Sequence, residues 1–331
     1  MIIDNHNFFE GFFINGLTFV ILTFIILKYF KSIFPISTPS TRSALSHEPI
    51  PRGIGIVFPI SFILSNFTFY HSTEINMSYL SLILCCTAIG FFDDLRNINY
   101  IKKLISLTFV FTLIIFIDPE ILLFKNLNFI TSFTISIFFF IFYVLFFNQI
   151  DGINGLSSGT FCFFLASLIF LNPFEFSYLG MFINIIGIVF LYFILNLFFT
   201  KFFKGDSGDY FLGSVAYLAF QENEKFLFVS LILLFPILGD IIWTTLMRIY
   251  FGYNLSQPHK EHLYQKSVTY FKIHLPVTMC HIILQSLLFL IIYFLKLHKH
   301  DYVNQIVYLM IFGGFISLFY LYTSYSFNKV K

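Results

Sequence analysis

Charged residues are scarce in this sequence. Only 11% of its 331 residues are Asp, Glu, Lys or Arg, whereas 58% are hydrophobic. A soluble domain carries about 25% charged residues, because its surface must be hydrated. The shortage of charge excludes a soluble enzyme, a disordered chain and a soluble nucleic-acid-binding protein. It indicates instead a chain that crosses a lipid bilayer repeatedly.

Cysteine is also scarce, and its placement indicates neither a disulfide framework nor a zinc site. The four cysteines, Cys85, Cys86, Cys162 and Cys280, lie in apolar stretches and have no C-x-x-C spacing. A structural zinc site or a set of bridges would need clustered or paired thiols. We therefore expect these side chains to act as small apolar packing groups.

Long apolar runs, separated by polar loops, fill most of the sequence. The first run follows acidic residues and precedes basic ones, the reverse of a signal peptide, so we expect it to remain as a span. Eleven runs are candidate spans: near 11–30, 53–70, 78–92, 104–117, 129–147, 158–171, 178–199, 208–220, 226–246, 275–295 and 304–325. The pattern predicts an all-α polytopic membrane protein, a bundle of about 11 transmembrane helices that forms a single domain over 1–331.

The distribution of Lys and Arg predicts which side of the membrane each loop faces. If the N-terminus lies outside and the loops alternate, 15 of the 19 basic residues fall in inner loops and 4 in outer loops. Cytoplasmic loops of membrane proteins are enriched in Lys and Arg. We therefore predict an outer N-terminus and a cytoplasmic C-terminus.

Polar motifs are concentrated in the loops predicted to face the cytoplasm. They are Pro49-Ile50-Pro51-Arg52-Gly53-Ile54-Gly55, Asp93-Asp94-Leu95-Arg96, Asn148-Gln149-Ile150-Asp151-Gly152, Phe203-Lys204-Gly205-Asp206-Ser207-Gly208 and Pro258-His259-Lys260-Glu261-His262. Each alone has an ordinary alternative, such as a solvated helix end, a tight turn or a tolerated interfacial histidine. Together they predict a site where Mg²⁺ and basic side chains neutralise a phosphorylated substrate while a lipid lies among the helices.

One aspartate inside the ninth apolar run is also expected at this site. Asp240 follows Pro236 and Gly239. A carboxylate near the middle of a membrane costs about 2.5–3.5 kcal/mol on insertion scales, so it usually faces a polar cavity or a partner. We expect Asp240 near the inner end of its span, facing the site.

In their order and spacing, these motifs resemble those of the polyprenyl-phosphate N-acetylhexosamine-1-phosphate transferases, which form glycosyltransferase family 4. Pro49 to Gly55 resembles the family's P-T-P-R-G-G-G, and Gly90 to Asp94 resembles its G-x-x-D-D. Asn148 to Leu156 resembles N-x-x-D-G-x-x-G-L. The resemblance covers most of the chain, from about residue 42 to 265.

The later motifs indicate the branch of the family. Asn196 together with Phe203 to Gly208 resembles N-x(6)-F-M-G-D-S-G. His262 to Gln265 resembles the H-L-Y-Q of the WecA-like O-antigen and capsule branch, rather than the triple histidine of the peptidoglycan translocase MraY. The resemblance therefore implies the branch that initiates cell-surface polysaccharides.

The resemblance implies transfer of an N-acetylhexosamine 1-phosphate, or a 6-deoxy N-acetylhexosamine 1-phosphate, from a UDP-sugar to undecaprenyl phosphate. The products would be an undecaprenyl-diphosphate sugar and UMP, in the initiating step of O-antigen synthesis within lipopolysaccharide and cell wall biogenesis. The implied cofactor is Mg²⁺, with Mn²⁺ as an alternative. The implied partners are UDP-N-acetylhexosamine, undecaprenyl phosphate and the bilayer, without nucleic acid, and a homodimer is left open. The site would face the cytoplasm at a bacterial inner membrane.

The resemblance also implies a role for each matched residue. The catalytic residues would be Asp93, Asp94, Asp151 and His262, with Asp93 as the base on the lipid phosphate. The metal ligands would be Asp206 and Asp94. Phe203 would stack on uracil beside a nucleotide pocket that Asp151 also lines. The substrate-binding residues would be His47, Arg52, Asn148, Gly152, Asn154, Asn196, Phe203, His259 and Lys260.

Three departures and two alternatives accompany this interpretation. Arg42 to His47 has two residues more than the family's R-S-S-H. Asn154 stands where many relatives have Asp, and Lys204 stands where the motif has Met, which adds a cation beside the metal site. One alternative is an MraY-type phospho-N-acetylmuramoyl-pentapeptide transferase, which the H-L-Y-Q motif disfavours. The other is a multi-span transporter, in which charges would be spread through the bilayer and the two halves would be related by pseudo-symmetry. The sugar and the choice between direct displacement and a covalent intermediate are left open.

Overall fold

Helices form most of the structure. The computed structural model describes residues 5–37, 49–69, 76–171, 176–222, 226–254, 260–301 and 303–314. In chain order the helices are α1 (Asn5–Tyr29), α2 (Val57–Phe69), α3 (Met77–Arg96), α4 (Tyr100–Ile117), α5 (Phe129–Gln149), α6 (Leu156–Leu171), α7 (Phe176–Phe198), α8 (Gly205–Gln221), α9 (Leu227–Tyr250), α10 (Leu263–Phe271), α11 (Leu275–Phe294) and α12 (Val303–Gly314). A small antiparallel sheet pairs β1 (Ile36–Ser37) with β2 (Ile50–Pro51) ahead of α2.

Asparagine residues define several helix ends. Asn76, Asn99 and Asn128 precede α3, α4 and α5, and each side-chain oxygen accepts a hydrogen bond from a backbone N–H in the first turn. Such a residue satisfies N–H groups that have no partner within the helix. Helix α3 ends where Asn97 adopts a left-handed conformation, with φ 48°, which asparagine tolerates better than most residues. These boundaries therefore follow from the local sequence.

Seven helices are long and apolar enough to cross a membrane, so the chain is a multi-pass membrane protein. They are α1, α3, α4, α5, α7, α9 and α11. Each of the eleven predicted runs overlaps a helix, but α2, α6, α8 and α12 have fewer than 18 residues in the part of the chain that is described. A perpendicular span needs about 20 residues. The count of eleven spans and the orientation of the termini therefore stay predictions.

Helix α8 lies at the centre of the bundle. All of its residues except Asp206 are buried. Glycines allow its close contact with α3 and α5. A Cβ on Gly90 of α3 would lie 2.4 Å from the carbonyl oxygen of Asp206, and a Cβ on Gly213 of α8 would lie 2.4 Å from the Cα of Val144. Because small residues let helix backbones approach in membranes, Gly90 lets the first turn of α8 lie beside the C-terminal part of α3, and Gly213 lets α8 pack against α5.

Candidate active site

Asp94, at the C-terminal end of α3, caps the N-terminus of α8. Its buried carboxylate accepts hydrogen bonds from the backbone N–H groups of Asp206 and Ser207, both at 3.0 Å. These N–H groups have no partner inside α8, and a helix N-terminus favours negative charge. Gly205 has φ 68°, and a Cβ on it would lie 2.5 Å from both Asp94 carboxylate oxygens. The Arg52 Nε lies 2.8 Å from Asp94 Oδ1, so both oxygens of Asp94 are engaged by protein groups.

Asp93 and Asp206 share the ammonium group of Lys103. Lys103 forms an ion pair with Asp93, and its Nζ lies 3.5 Å from Asp206 Oδ2. Asp93 also accepts a hydrogen bond from the Ile98 N–H at 2.8 Å, and Asn148 donates to Asp206 Oδ1 at 3.1 Å. The Asp93 side chain is 1% exposed, whereas that of Asp206 is 21% exposed. Asp206 is therefore the more accessible carboxylate of the two.

The segment before α2 pairs with the segment before α8. The Phe203 N–H donates to the Pro51 carbonyl at 2.8 Å, and the Ile54 N–H donates to the Phe203 carbonyl at 3.1 Å. A further hydrogen bond joins the Gly55 N–H to the Lys204 carbonyl at 2.9 Å. This pairing holds two separate sequence motifs together as one unit. It fixes the backbone that carries the Arg52 side chain to Asp94.

The loop between α5 and α6 is held by asparagine side chains. Asn196 accepts a hydrogen bond from the Gly155 N–H at 2.7 Å. The Asn154 side chain donates to the Thr200 hydroxyl at 2.9 Å, and the Asn154 backbone N–H donates to His274 Nδ1 at 3.1 Å. In this structure the polar groups of Asn154 and Asn196 therefore stabilise the loop itself.

Lys204 forms the centre of a second charged group. Its Nζ lies 2.7 Å from Asp151 Oδ1 and also forms an ion pair with Asp209. The Lys204 and Asp209 side chains are each 1% exposed, whereas that of Asp151 is 30% exposed. The Ser157 hydroxyl donates to Asp209 at 3.1 Å. The carboxylate of Asp151 thus connects a buried ion pair to the accessible part of the site.

The H-L-Y-Q segment contacts the site through α10. Asp240 of α9 accepts hydrogen bonds from the backbone N–H groups of Leu263 (2.9 Å) and Tyr264 (3.2 Å), so it caps α10. The His262 Nδ1 lies 3.8 Å from Asp240 Oδ1. The Tyr264 hydroxyl donates to the Gln149 carbonyl at 2.8 Å, which joins α10 to the loop after α5. Asp240 therefore lies against the segment that carries His262.

The remaining predicted residues differ in how fully they can be placed. Gly152 packs against α10, because a Cβ on it would lie 2.7 Å from Gln265 Nε2. Lys260 is exposed at the start of the segment leading to α10. His47 and His259 lie outside the described residues. Residues from all five sequence motifs nevertheless meet through the contacts above.

Two residues of the site were not predicted from the sequence. Lys103 belongs to no motif. It lies in the first turn of α4, and only the packing of that helix brings it to Asp93 and Asp206. Asp209 had a usable signal, since it follows Asp206 by three residues on α8 and residues at that spacing share a helix face.

Three ionisable side chains of the site lie outside the long spans: Arg52, Lys204 and Asp206. For each of them, neighbouring side chains outweigh the effect of burial on the pKa. Burial alone would lower the pKa of Arg52, but the carboxylate of Asp94 and its acidic neighbours raise that pKa. Burial would likewise lower the pKa of Lys204, and Asp151 and Asp209 raise it. Burial would raise the pKa of Asp206, but a side-chain hydrogen bond with Asp93 and the positive charges of Arg52 and Lys103 lower it. Both cations and the Asp206 carboxylate are therefore kept charged at neutral pH.

One carboxylate of the site, that of Asp206, is suited to bind a hard divalent cation. In the described part of the chain, no group of three or more His, Cys, Asp or Glu side chains is arranged to hold a metal ion. Mg²⁺ usually takes only one or two carboxylates from the protein and completes its coordination with water and substrate phosphates. Asp206, which is partly exposed beside Asp93, suits that kind of site. Asp94 suits it less, because both of its oxygens already accept hydrogen bonds.

Part of the chain matches a known protein family. A family model described as Glycosyl transferase family 4 matches residues 76–222. That range contains Asp93, Asp94, Asn148, Asp151 and Asp206, and it leaves out the motifs that carry Arg52 and His262. No match is found among curated proteins. The matched range supports the family resemblance and a transferase activity, without distinguishing a branch of the family.

Proposed function

We propose that this protein transfers an N-acetylhexosamine 1-phosphate, or its 6-deoxy counterpart, from a UDP-sugar to undecaprenyl phosphate and releases UMP. The observation that carries the proposal is the grouping of Asp93, Asp94 and Asp206 with Arg52 and Lys103 at the first turn of α8. Phosphoryl transfer depends mainly on positioning and on neutralising charge. Carboxylates that can hold a metal, beside cations that can bind phosphate, are the groups that such a reaction needs.

The reacting end of the site is assigned to this acidic group. Asp206 would hold Mg²⁺ or Mn²⁺, which would neutralise phosphate charge as a Lewis acid. Asp93 would accept the proton of the lipid phosphate. Arg52 and Lys103 are partly exposed and would bind phosphate oxygens. Asp94 is reassigned from ligand to positioning residue, because it fixes the α8 backbone that carries Asp206.

The donor end of the site is assigned to the loop after α5 and to Phe203. Phe203 is partly buried and would stack on uracil, beside a pocket formed by Asp151, Gly152 and Asn154. Asn196 would act indirectly through its hydrogen bond to the loop. His262 would face the diphosphate or the sugar. Lys260, His259 and His47 are further candidates for phosphate or sugar contacts.

The H-L-Y-Q segment supports the branch that initiates O-antigen and related cell-surface polysaccharides. A lipid acceptor is compatible with a site at the end of a membrane bundle, because the polyprenyl tail can stay in the bilayer while its phosphate reaches the aspartates. The excess of Lys and Arg in the predicted inner loops supports a site that faces the cytoplasm of a bacterial inner membrane.

The decisive experiment measures UMP release by the purified full-length protein with undecaprenyl phosphate, Mg²⁺ and a panel of UDP-sugars. The panel contains UDP-GlcNAc, UDP-GalNAc, 6-deoxy N-acetylhexosamine donors and UDP-N-acetylmuramoyl-pentapeptide. We expect UMP release that requires the lipid and one N-acetylhexosamine donor. Release from the pentapeptide donor alone would favour the MraY-type alternative, and no release from any donor would contradict the proposed function.

Matched aspartate variants identify the site. Asp206→Asn should reduce turnover by about 10²–10³-fold, because it removes a charge that the reaction requires. Asp301→Asn is the control, since Asp301 is exposed and its side-chain carboxylate accepts hydrogen bonds from Asn304. The control should keep the wild-type rate. A wild-type rate in Asp206→Asn would contradict the metal assignment.

A further inference from the structure

Lys204 is held rigidly over its whole length. Its backbone N–H donates to the Tyr192 hydroxyl at 3.0 Å. Its aliphatic stem lies against Gly208, where a Cβ would be 2.5 Å from Lys204 Cβ and 2.9 Å from Lys204 Cδ. Its ammonium group then contacts Asp151 and Asp209. The direction of this side chain is therefore set at both ends and along its stem.

Lys204 supplies the cation that lies between the two carboxylates of this group. Asp209 is buried and pairs with Lys204, and the more accessible Asp151 pairs with the same ammonium. Two carboxylates this close to one point repel each other unless a cation lies between them. Without the ammonium, the free energy would be lower with the Asp151 carboxylate turned away from Asp209 into solvent, since a buried unpaired charge is costly.

We propose that Lys204 is a positioning residue that holds the Asp151 carboxylate and its loop against α8, and that it supplies the cation which this half of the site would otherwise need. The inference rests on the proposed function in one respect, namely that Asp151 borders the nucleotide pocket. It follows that the divalent cation is required beside Asp206 and not beside Asp151. Lys204 stands where the resembled motif has Met, a residue that could not supply this cation.

The test compares two full-length variants that differ only at position 204. Asp209→Asn keeps the Lys204–Asp151 pair and an oxygen that can accept from Ser157. Lys204→Met combined with Asp209→Asn removes the ammonium without leaving Asp209 charged and unpaired. Thermal melting in detergent checks that both variants fold. Amide hydrogen exchange over residues 150–155 reports the loop, and the KM for the UDP-sugar reports the pocket.

The double variant should differ from Asp209→Asn in both readouts. We expect the amides of 150–155 to exchange about tenfold faster and the KM to rise about tenfold, as for the loss of one charge-assisted hydrogen bond. The kcat should change less than about threefold, because the groups at Asp206 remain in place. Lys204→Arg in the Asp209→Asn background should return both readouts toward the Asp209→Asn values.

The outcomes separate this inference from the proposed function. Unchanged exchange and unchanged KM in the folded double variant would overturn the role of Lys204. Faster exchange in a protein whose wild type releases no UMP would support the tether and refute the proposed function. If the double variant fails to fold, Asp151→Asn combined with Asp209→Asn removes the Lys204–Asp151 ion pair by neutralising the carboxylate instead of the ammonium. Unchanged exchange and KM in that variant would overturn the inference equally.

Discussion

Adding a single methyl group at Gly90 should displace the first turn of α8. A Cβ at this position would lie 2.4 Å from the carbonyl oxygen of Asp206 and 2.7 Å from the Cα of Ser207, whereas ordinary van der Waals contact begins at 3.4 Å. Both neighbours are backbone atoms, which cannot rotate away as a side chain can. In Gly90→Ala the two helices must therefore separate by roughly 1 Å at the point where Asp94 caps α8.

The displacement has two measurable consequences. Overpacking of this kind costs about 1–3 kcal/mol. At about 2 °C for each kcal/mol in a large chain, the melting temperature in detergent should fall by roughly 2–6 °C. A shift of about 1 Å in a catalytic group can lower turnover by about 10²-fold. Gly90→Ala should therefore lose most of its UMP release at a temperature where the protein is still folded.

Gly314→Ala is the matched control for this substitution. Gly314 is an exposed residue at the end of the described part of α12, and a Cβ there would meet no atom of the described residues within 4 Å. This variant should melt at the wild-type temperature or slightly above it, since alanine favours helix by up to about 1 kcal/mol, and it should keep the wild-type rate. A Gly90→Ala protein with wild-type melting and turnover would refute the proposed consequence of the α3–α8 contact.

The remaining predictions concern the two buried aspartates that cap helices. Asp94→Asn should insert into the membrane but lose turnover, because it weakens the ion pair with Arg52 and one bond to the α8 backbone, at a cost of about 1.5–3 kcal/mol. UMP release and thermal melting measure this, and a wild-type rate would contradict the positioning role. Asp240→Ala should destabilise α10 by about 0.5–2 kcal/mol through the loss of its cap. Limited proteolysis should then cut faster within 263–271 while the rest of the bundle stays protected, and an unchanged cleavage rate would contradict the capping role.

Much of the fold could be predicted from the sequence, because membrane helices are encoded locally. An apolar run satisfies its backbone hydrogen bonds internally as a helix, so all eleven predicted runs overlap helices. The number of spans is harder to predict from local sequence, since it depends on how neighbouring helices cover short helices such as α8. Helix α10 was missed as an element because its nine residues carry polar groups and lie in a predicted loop.

The sequence by itself determined the residue types of the site and the order of the motifs, including Asp93, Asp94, Asp151 and Asp206. Tertiary structure alone decided how their atoms are used. Asp93 and Asp94 are chain neighbours, yet one pairs with Lys103 and the other caps α8 with both of its oxygens. Lys103 and Asp240 reach the site from separate helices. The reason is physical: hydrogen-bond and ion-pair partners are set by distances of about 3 Å between helices far apart in sequence, and their close packing depends on glycines such as Gly90.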